Sequence, residues 1–159
     1  MYPLAYSTWD HKEKEAIQRV MDSDMFTMGK HVREFEQQYA QQFGSRHAVM
    51  VNSGSSANLL MLSLLKWKYN LKGNVIVPVV GWSTTYFPIA QNGFTINFVD
   101  VDPNTWNIDV DKLKDAIDGN TCAIMAVNLL GNSCDYTRIK QLCDEHDIKL
   151  IEDNCESMG

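Results

Sequence analysis

The stretch AVMVNSGSSAN at residues 48–58 joins a short apolar run to a turn of small polar residues. The apolar run at 48–51 predicts a buried strand, and the segment LLMLSLLKW at 59–67 predicts a helix behind the turn. A strand that enters a helix through a tight polar turn is the repeating unit of α/β proteins. This stretch therefore predicts an α/β fold, which the pattern of the remaining sequence can support.

The rest of the chain repeats the same alternation. Helical spacing of apolar residues predicts helices at 10–23, 30–43, 83–91, 111–117 and 136–146. Short apolar runs predict strands at 74–79, 95–101, 122–128 and 149–153. The pattern predicts an α/β domain with a mostly parallel sheet flanked by helices. We expect one large domain over residues 1–159, with a helical N-terminal segment at 1–45 and the sheet portion at 46–159.

The charge and hydropathy of the chain argue against several classes of function. The net charge is -6 and no run of basic residues follows a phosphate backbone, so nucleic acid is not an expected partner. No stretch approaches the roughly 18 uninterrupted apolar residues of a membrane span. The first residues also lack the basic and apolar segments of a signal peptide. We therefore expect a cytoplasmic protein without a membrane partner.

The cysteine and histidine pattern does not indicate a metal site. Cys122, Cys134, Cys143 and Cys155 form no CxxC pair, and the histidines stand singly. Zinc sites need ligands at closer spacing than this. We expect no metal, and we expect the thiols to be reduced, as in other cytoplasmic proteins.

Ligands of parallel sheets bind outside the carboxyl ends of the strands, so the residues after each strand are the candidates for a site. The turn after the run at 48–51 places Gly54, Ser55 and Ser56 at the start of a helix. The backbone N–H groups and positive dipole end of a helix N-terminus suit a phosphate. The alternative is that Ser53 only caps the helix.

Two further strand ends carry an aromatic ring and an acid. Trp82 follows the strand at 74–79 and can lie flat on a planar ligand, unless it simply covers the edge of the sheet. Asp153 ends the strand at 149–153, where an acid needs a partner such as a protonated pyridine nitrogen, unless it caps the next helix. A phosphate turn, a ring platform and a ring-nitrogen acid together match pyridoxal phosphate.

The same motifs resemble a known family. The segments 2–10, 26–60, 77–89, 127–132 and 152–159 are similar to the DegT/DnrJ/EryC1/StrS sugar aminotransferases, which have the aspartate-aminotransferase fold (fold type I). The resemblance covers essentially the whole chain. It implies the N-terminal part of the large domain that binds pyridoxal phosphate, without the C-terminal part. Within the family, the sequence is most similar to the 3-dehydratase branch, which acts on GDP-4-keto-6-deoxymannose in colitose biosynthesis.

The resemblance assigns roles to individual residues. Gly54, Ser55 and Ser56 match the family's phosphate-binding turn. Trp82 matches the aromatic residue that stacks on the pyridoxal ring. Asp153 matches the acid that contacts the pyridine nitrogen.

Other residues match the family less directly. Glu156 lies where many aminotransferases of the family have Gln and where the dehydratase branch has Glu, so it is a candidate for cofactor binding and for support of catalysis. Asn128, at the end of the strand at 122–128, is expected to face the cofactor. The cofactor-bonding Lys of the family, which the dehydratase branch replaces with His, lies beyond Gly159. No catalytic residue is therefore expected in this chain.

The resemblance implies an enzyme that uses pyridoxal 5'-phosphate or pyridoxamine 5'-phosphate on a nucleotide-linked 4-keto-6-deoxy sugar, in deoxysugar or lipopolysaccharide biosynthesis. Both a 3-dehydratase and an aminotransferase remain open, and a homodimer is expected. The sequence also allows a truncated homologue without activity, which would act through its dimer surface. A nucleotide-binding domain of another kind is less well supported, because no GxGxxG motif is present.

Overall fold

A computed structural model gives the structure of residues 6–158. The first part of the family-like segment, at residues 2–5, and Gly159 lie outside the described residues. The chain divides into two compact units, Met1–Met50 and Val51–Gly159. Within residues 6–158, no helix is both long and apolar enough to cross a membrane.

The first unit contains two amphipathic helices, α1 (His11–Asp22) and α2 (Lys30–Gln42). Helix α1 begins with a capping box: the Asp10 carboxylate accepts the Lys12 N–H at 2.7 Å, and the Glu13 side chain accepts the Asp10 N–H at 2.7 Å. Both helices were predicted at nearly these positions, because their apolar residues recur at helical spacing.

The predicted strand at 48–51 is wrong. These residues pair with no strand among residues 6–158, and Val49 is 68% exposed. The Met50 N–H donates to the Glu36 side chain at 2.8 Å instead of to a neighbouring backbone. An apolar run is compatible with a strand, but a strand forms only where another strand supplies its backbone hydrogen bonds.

The second unit is built on a parallel sheet of four strands in the order β2-β1-β3-β4. This confirms the predicted α/β class with a mostly parallel sheet. The strands are β1 (Asn74–Pro78), β2 (Thr95–Val99), β3 (Thr121–Val127) and β4 (Lys149–Asp153). The helices are α3 (Gly54–Trp67), α4 (Ser83–Gln91), α5 (Val110–Ala116) and α6 (Tyr136–His146).

Hydrophobic cores cover both faces of the sheet. Alternate residues of β1 point to opposite faces, since Val75 and Val77 belong to one cluster and Ile76 to the other. The first cluster includes Leu62 of α3, and the second includes Ile139 of α6. Burial on both faces explains why β1 and β3 read as continuous apolar runs in the sequence. The carboxyl ends of the parallel strands therefore share one edge of a rigid layer.

Most predicted elements of this unit lie within one residue of the observed bounds. Two differ in extent. Helix α3 begins at Gly54, so the small polar residues form its first turn and not a separate loop. Strand β2 ends at Val99, and Val101 forms an isolated antiparallel bridge with Ile108 where the chain reverses.

Candidate functional site

The N-terminus of α3 has the geometry expected for an anion site. Ser53 caps the helix, and its Oγ accepts the Ser56 N–H at 3.2 Å. The amides of Gly54 and Ser55, one and two positions after the cap, have no acceptor among residues 6–158. A Cβ added to Gly54 would meet no atom of another part of the described chain within 4 Å, so the space beside its α-carbon is open. The cap and a phosphate cradle are thus compatible, because they use different groups of the same turn.

Asp153 ends β4 and is only 7% exposed. Its Oδ2 accepts two hydrogen bonds, from Asn58 Nδ2 at 2.9 Å and from Thr85 Oγ1 at 3.0 Å. Its Oδ1 accepts the Cys155 backbone N–H at 3.2 Å. A single buried carboxylate thereby connects α3, α4 and the end of the last strand.

Asn58 and Thr85 were not identified as site residues from the sequence. Asn58 lies one helical turn after Gly54, and Thr85 lies three residues after Trp82. Both are buried, at 5% and 2% exposure. One feature of the sequence could have indicated Asn58: it is a polar residue directly before the apolar part of α3. A buried amide at such a position requires a hydrogen-bond partner.

Trp82 stands immediately before α4 and is 63% exposed, so its ring is accessible to a ligand. Its indole N–H donates to Glu156 Oε1 at 3.5 Å. The other oxygen, Glu156 Oε2, accepts the Leu130 backbone N–H at 2.6 Å. The structure therefore brings the predicted residues Trp82 and Glu156 together, and it adds the turn at Leu130, which the sequence did not indicate.

The Leu130 N–H that binds Glu156 lies in a turn after β3 with a left-handed backbone conformation. Leu130 has φ 54° and ψ 25°, and Gly131 has φ 83°. A non-glycine residue in the left-handed region costs on the order of 1–3 kcal/mol. A Cβ on Gly131 would come within 3.3 Å of the Glu156 carbonyl oxygen. The close packing of the turn on Glu156 supplies the contacts that maintain this backbone strain.

The expectation that Asn128 faces the cofactor stays a prediction, and the structure shows which protein groups its side chain contacts. It is 5% exposed, and its Oδ1 accepts hydrogen bonds from the Cys134 N–H and the Tyr136 hydroxyl, both at 2.9 Å. Its Nδ2 donates to Asn154 Oδ1. The side-chain amide is thus engaged with protein groups on both sides. Asn128 connects β3 to the segment after β4, and its side chain does not present a free group to a ligand.

Burial controls the ionisation of two groups near the site. Burial raises the pKa of the Cys155 thiol to about 11, with further increases from its hydrogen bond to Asp153 and from the charges of Asp153 and Glu156. Burial, followed by a hydrogen bond to Glu152, raises the pKa of the Tyr136 hydroxyl far above its ordinary value. The residue Cys155 is exposed, but its thiol is partly buried, so the raised pKa keeps it protonated at neutral pH and makes it a poor nucleophile.

The predicted shared cavity for residues 54–56, Trp82 and Asp153 stays a prediction. Depressions of the described surface away from these residues include one of about 800 Å³ along α6 and one of about 300 Å³ beside α5. At the carboxyl ends of the strands, the Trp82 indole is hydrogen-bonded to Glu156. Asp153 is hydrogen-bonded there to Asn58 of α3 and to Thr85 of α4.

Comparison with known proteins identifies the family that the sequence matches. The model of the DegT/DnrJ/EryC1/StrS aminotransferase family matches residues 7–159. The GDP-4-keto-6-deoxy-D-mannose 3-dehydratase of Yersinia pseudotuberculosis is 56% identical over 99% of this chain and 41% of its own length. The GDP-perosamine synthase of Escherichia coli O157:H7 is 34% identical over 99% of this chain and 43% of its own length.

Solved structures give the same result for the fold. The Escherichia coli GDP-4-keto-6-deoxy-D-mannose-3-dehydratase with bound hydrated PLP superimposes with a TM-score of 0.94 at 52% identity. The match covers 100% of this chain and 42% of that one. The chain thus spans about two fifths of the length of the relatives it matches.

Proposed function

Because this chain belongs to the DegT/DnrJ/EryC1/StrS aminotransferase family, we propose that it forms the cofactor-binding part of an enzyme that uses pyridoxal or pyridoxamine phosphate. The proposed substrate is a nucleotide-linked 4-keto-6-deoxy sugar. The observation that carries the proposal is Asp153, a buried acid at a strand end that is bonded to the two helices bearing the other predicted contacts.

The phosphate of the cofactor is assigned to the first turn of α3. The unpaired amides of Gly54 and Ser55 and the hydroxyls of Ser55 and Ser56 supply donors for its oxygens. The positive end of the helix dipole adds to this attraction, as it does at other phosphate sites. The open space beside the Gly54 α-carbon supports a close approach of the phosphate to the backbone.

The ring of the cofactor is assigned to the space between Trp82 and Asp153. The exposed indole offers a stacking face, and the Asp153 carboxylate offers an acceptor for the protonated ring nitrogen. By accepting the N–H of the ring, Asp153 would keep the nitrogen protonated, and a ring in that state would supply the electron sink for bond breaking next to the substrate's C4. Glu156, hydrogen-bonded to Trp82 and Leu130, is assigned to the polar substituents of the cofactor ring and supports the orientation of that ring.

The reaction that we favour is removal of the sugar's 3-hydroxyl. It is supported by the 56% identity to a GDP-4-keto-6-deoxy-D-mannose 3-dehydratase, against 34% to an amino-transferring perosamine synthase. The second candidate is therefore the aminotransferase reaction. The two differ at the catalytic position, His in the first and Lys in the second, which we place beyond this sequence in the longer protein.

We further propose a homodimer that works in the cytoplasm on deoxysugars of lipopolysaccharide. The lipopolysaccharide biosynthesis protein RfbH of Salmonella typhimurium, 34% identical over 93% of this chain, supports the assignment to lipopolysaccharide. A truncated homologue without activity, acting through its dimer surface, is the alternative.

The test uses the full-length protein that carries this chain. We expect pyridoxal phosphate to give a protein-bound absorbance band that Asp153→Ala abolishes, because the ring nitrogen loses its acceptor. Asp144→Ala on the exposed face of α6 is the control and should leave the band unchanged. With pyridoxamine phosphate and GDP-4-keto-6-deoxymannose, mass spectrometry should show a 3-deoxy sugar. Unchanged cofactor binding and unchanged turnover in Asp153→Ala would reject the proposal, and an amino sugar product would favour the aminotransferase.

A further inference from the structure

The two oxygens of Asp153 have different surroundings. Oδ2 accepts hydrogen bonds from Asn58 Nδ2 at 2.9 Å and Thr85 Oγ1 at 3.0 Å. Oδ1 accepts a longer bond, from the Cys155 backbone N–H at 3.2 Å. A carboxylate oxygen has about two lone-pair directions. Those of Oδ2 are filled by protein donors, whereas Oδ1 accepts one backbone N–H, and the Cys155 thiol beside the carboxylate is only a weak donor. Oδ1 is therefore the oxygen available to a ligand.

These contacts are shielded from water. Asn58, Thr85 and Asp153 are 5%, 2% and 7% exposed. A buried carboxylate depends on protein donors in place of water, and hydrogen bonds to a charged group are stronger than those between neutral groups. Asn58 Nδ2 is further oriented by the Thr84 carbonyl oxygen at 3.4 Å. The donors therefore restrict the rotation of the Asp153 side chain.

The location of the donors links them to the other parts of the site. Asn58 stands on α3, one turn after Gly54, and Thr85 stands in the first turn of α4, beside Trp82. Each donor thus belongs to a helix whose start carries another predicted cofactor contact. A shift of either helix would move both that contact and the carboxylate.

We propose that Asn58 and Thr85 are positioning residues that fix the Asp153 carboxylate so that Oδ1 accepts the N–H of a protonated pyridine ring. The inference rests on the proposed function, because it requires a pyridine cofactor at Asp153. Neither residue touches the reacting atoms. Each acts through the acid, by holding it in one rotamer and by connecting it to the phosphate and ring contacts.

The experiment compares near-isosteric variants of the full-length protein. Thr85→Val and Asn58→Leu remove the donors while keeping the branching of the side chain, and Thr85→Ser keeps the hydroxyl. The dissociation constant of pyridoxal phosphate is measured by absorbance, together with the pH at which the bound cofactor's ring nitrogen loses its proton. We expect about tenfold weaker binding in Thr85→Val and Asn58→Leu, which corresponds to roughly 1.4 kcal/mol each. We also expect the ring nitrogen to lose its proton at lower pH, and we expect Thr85→Ser to behave like the parent protein.

Two controls make the outcome decisive. Thr84→Val changes the neighbouring threonine, whose hydroxyl is not a partner of Asp153, and should leave both readouts unchanged. Asp153→Asn tests the proposed function itself. If Asp153→Asn weakens binding but Thr85→Val and Asn58→Leu do not, only the positioning role is wrong. If Asp153→Asn also has no effect, the pyridine site is wrong. Should Asn58→Leu unfold, judged by circular dichroism, the Thr85→Val and Thr85→Ser pair decides.

Discussion

At the scale of single residues, Glu156 is held by donors on both of its oxygens. Leu130 N–H and Trp82 Nε1–H donate to Oε2 and Oε1, respectively. A carboxylate accepts at both oxygens, whereas a glutamine amide would turn its NH2 group toward one of these donors. The structure therefore gives a physical reason for Glu at this position, independent of the family resemblance that first identified it.

The first prediction follows from this pair of donors. Glu156→Gln in the full-length protein should weaken pyridoxal phosphate binding about five- to tenfold, as expected for the loss of a hydrogen bond of roughly 1–1.5 kcal/mol that orients Trp82. Binding is measured by absorbance titration. Glu145→Gln on α6, away from the site, should bind like the parent protein. Equal affinities in Glu156→Gln and the parent would show that the contact between Glu156 and Trp82 does not orient the ring platform.

A second residue-scale prediction concerns the strained turn. Leu130 has φ 54° and is 73% exposed, so glycine would relieve strain while losing little buried apolar area. Leu130→Gly should raise the free energy of unfolding by up to about 1 kcal/mol, since the relief exceeds the entropy cost of glycine. Urea unfolding measures the change. Leu130→Ala keeps a Cβ and should give no gain, and a gain in Leu130→Ala but not in Leu130→Gly would contradict the strain.

At the scale of elements, the first turn of α3 combines a helix cap with the predicted phosphate cradle. Ser53 supplies the cap, and the amides of Gly54 and Ser55 remain for a ligand. The two functions can be separated by charge. An aspartate caps a helix as well as serine does, but its negative charge would repel a phosphate bound at the same turn.

The third prediction uses this difference. Ser53→Asp should unfold at the same urea concentration as the parent protein but bind pyridoxal phosphate at least tenfold more weakly. Ser53→Asn, which caps without charge, is the matched control and should retain both properties. Ser53→Ala should lose about 1 kcal/mol of stability. Strong cofactor binding by Ser53→Asp would show that the phosphate lies elsewhere.

At the scale of the whole molecule, the chain spans 41% of the length of a dehydratase that it resembles. To the residues of the candidate site we assign the holding and orientation of the cofactor, and we assign the base and the covalent attachment point to none of them. Apolar side chains on α3 are exposed in this structure, with Trp67 at 80% and Leu60 at 49%. Large exposed apolar surfaces are typical of positions where another chain or segment packs.

The fourth prediction is that residues 1–159 alone do not turn over a 4-keto sugar nucleotide and do not behave as a monodisperse monomer. The first part follows because no catalytic base is assigned within the chain, and the second because of the exposed apolar side chains. Product analysis with added pyridoxamine phosphate and light scattering measure the two parts. Turnover would place the catalytic residue within this chain. A monodisperse monomer that melts cooperatively would show that this part is complete by itself.

The sequence alone determined the α/β class and the positions of most helices and strands, because these depend on the local spacing of apolar residues. Helix α4 at Ser83–Gln91 and helix α6 at Tyr136–His146 were predicted with the bounds observed. The strand ends were located for the same reason, and with them Trp82 and Asp153. The run at 48–51 failed, because its apolar pattern contains no information about a backbone partner.

The side chains that surround the candidate site could be identified from the tertiary structure but not from the sequence. Asn58 lies 95 residues before Asp153 in the chain, and Thr85 lies 68 residues before it. No local pattern connects residues at such separations. They meet because β1 and β4 end at one edge of the sheet, where α4 begins and where the first turns of α3 contact both α4 and Asp153. The left-handed turn at Leu130 is also invisible in sequence, because its strain is tolerated only where packing on Glu156 maintains it.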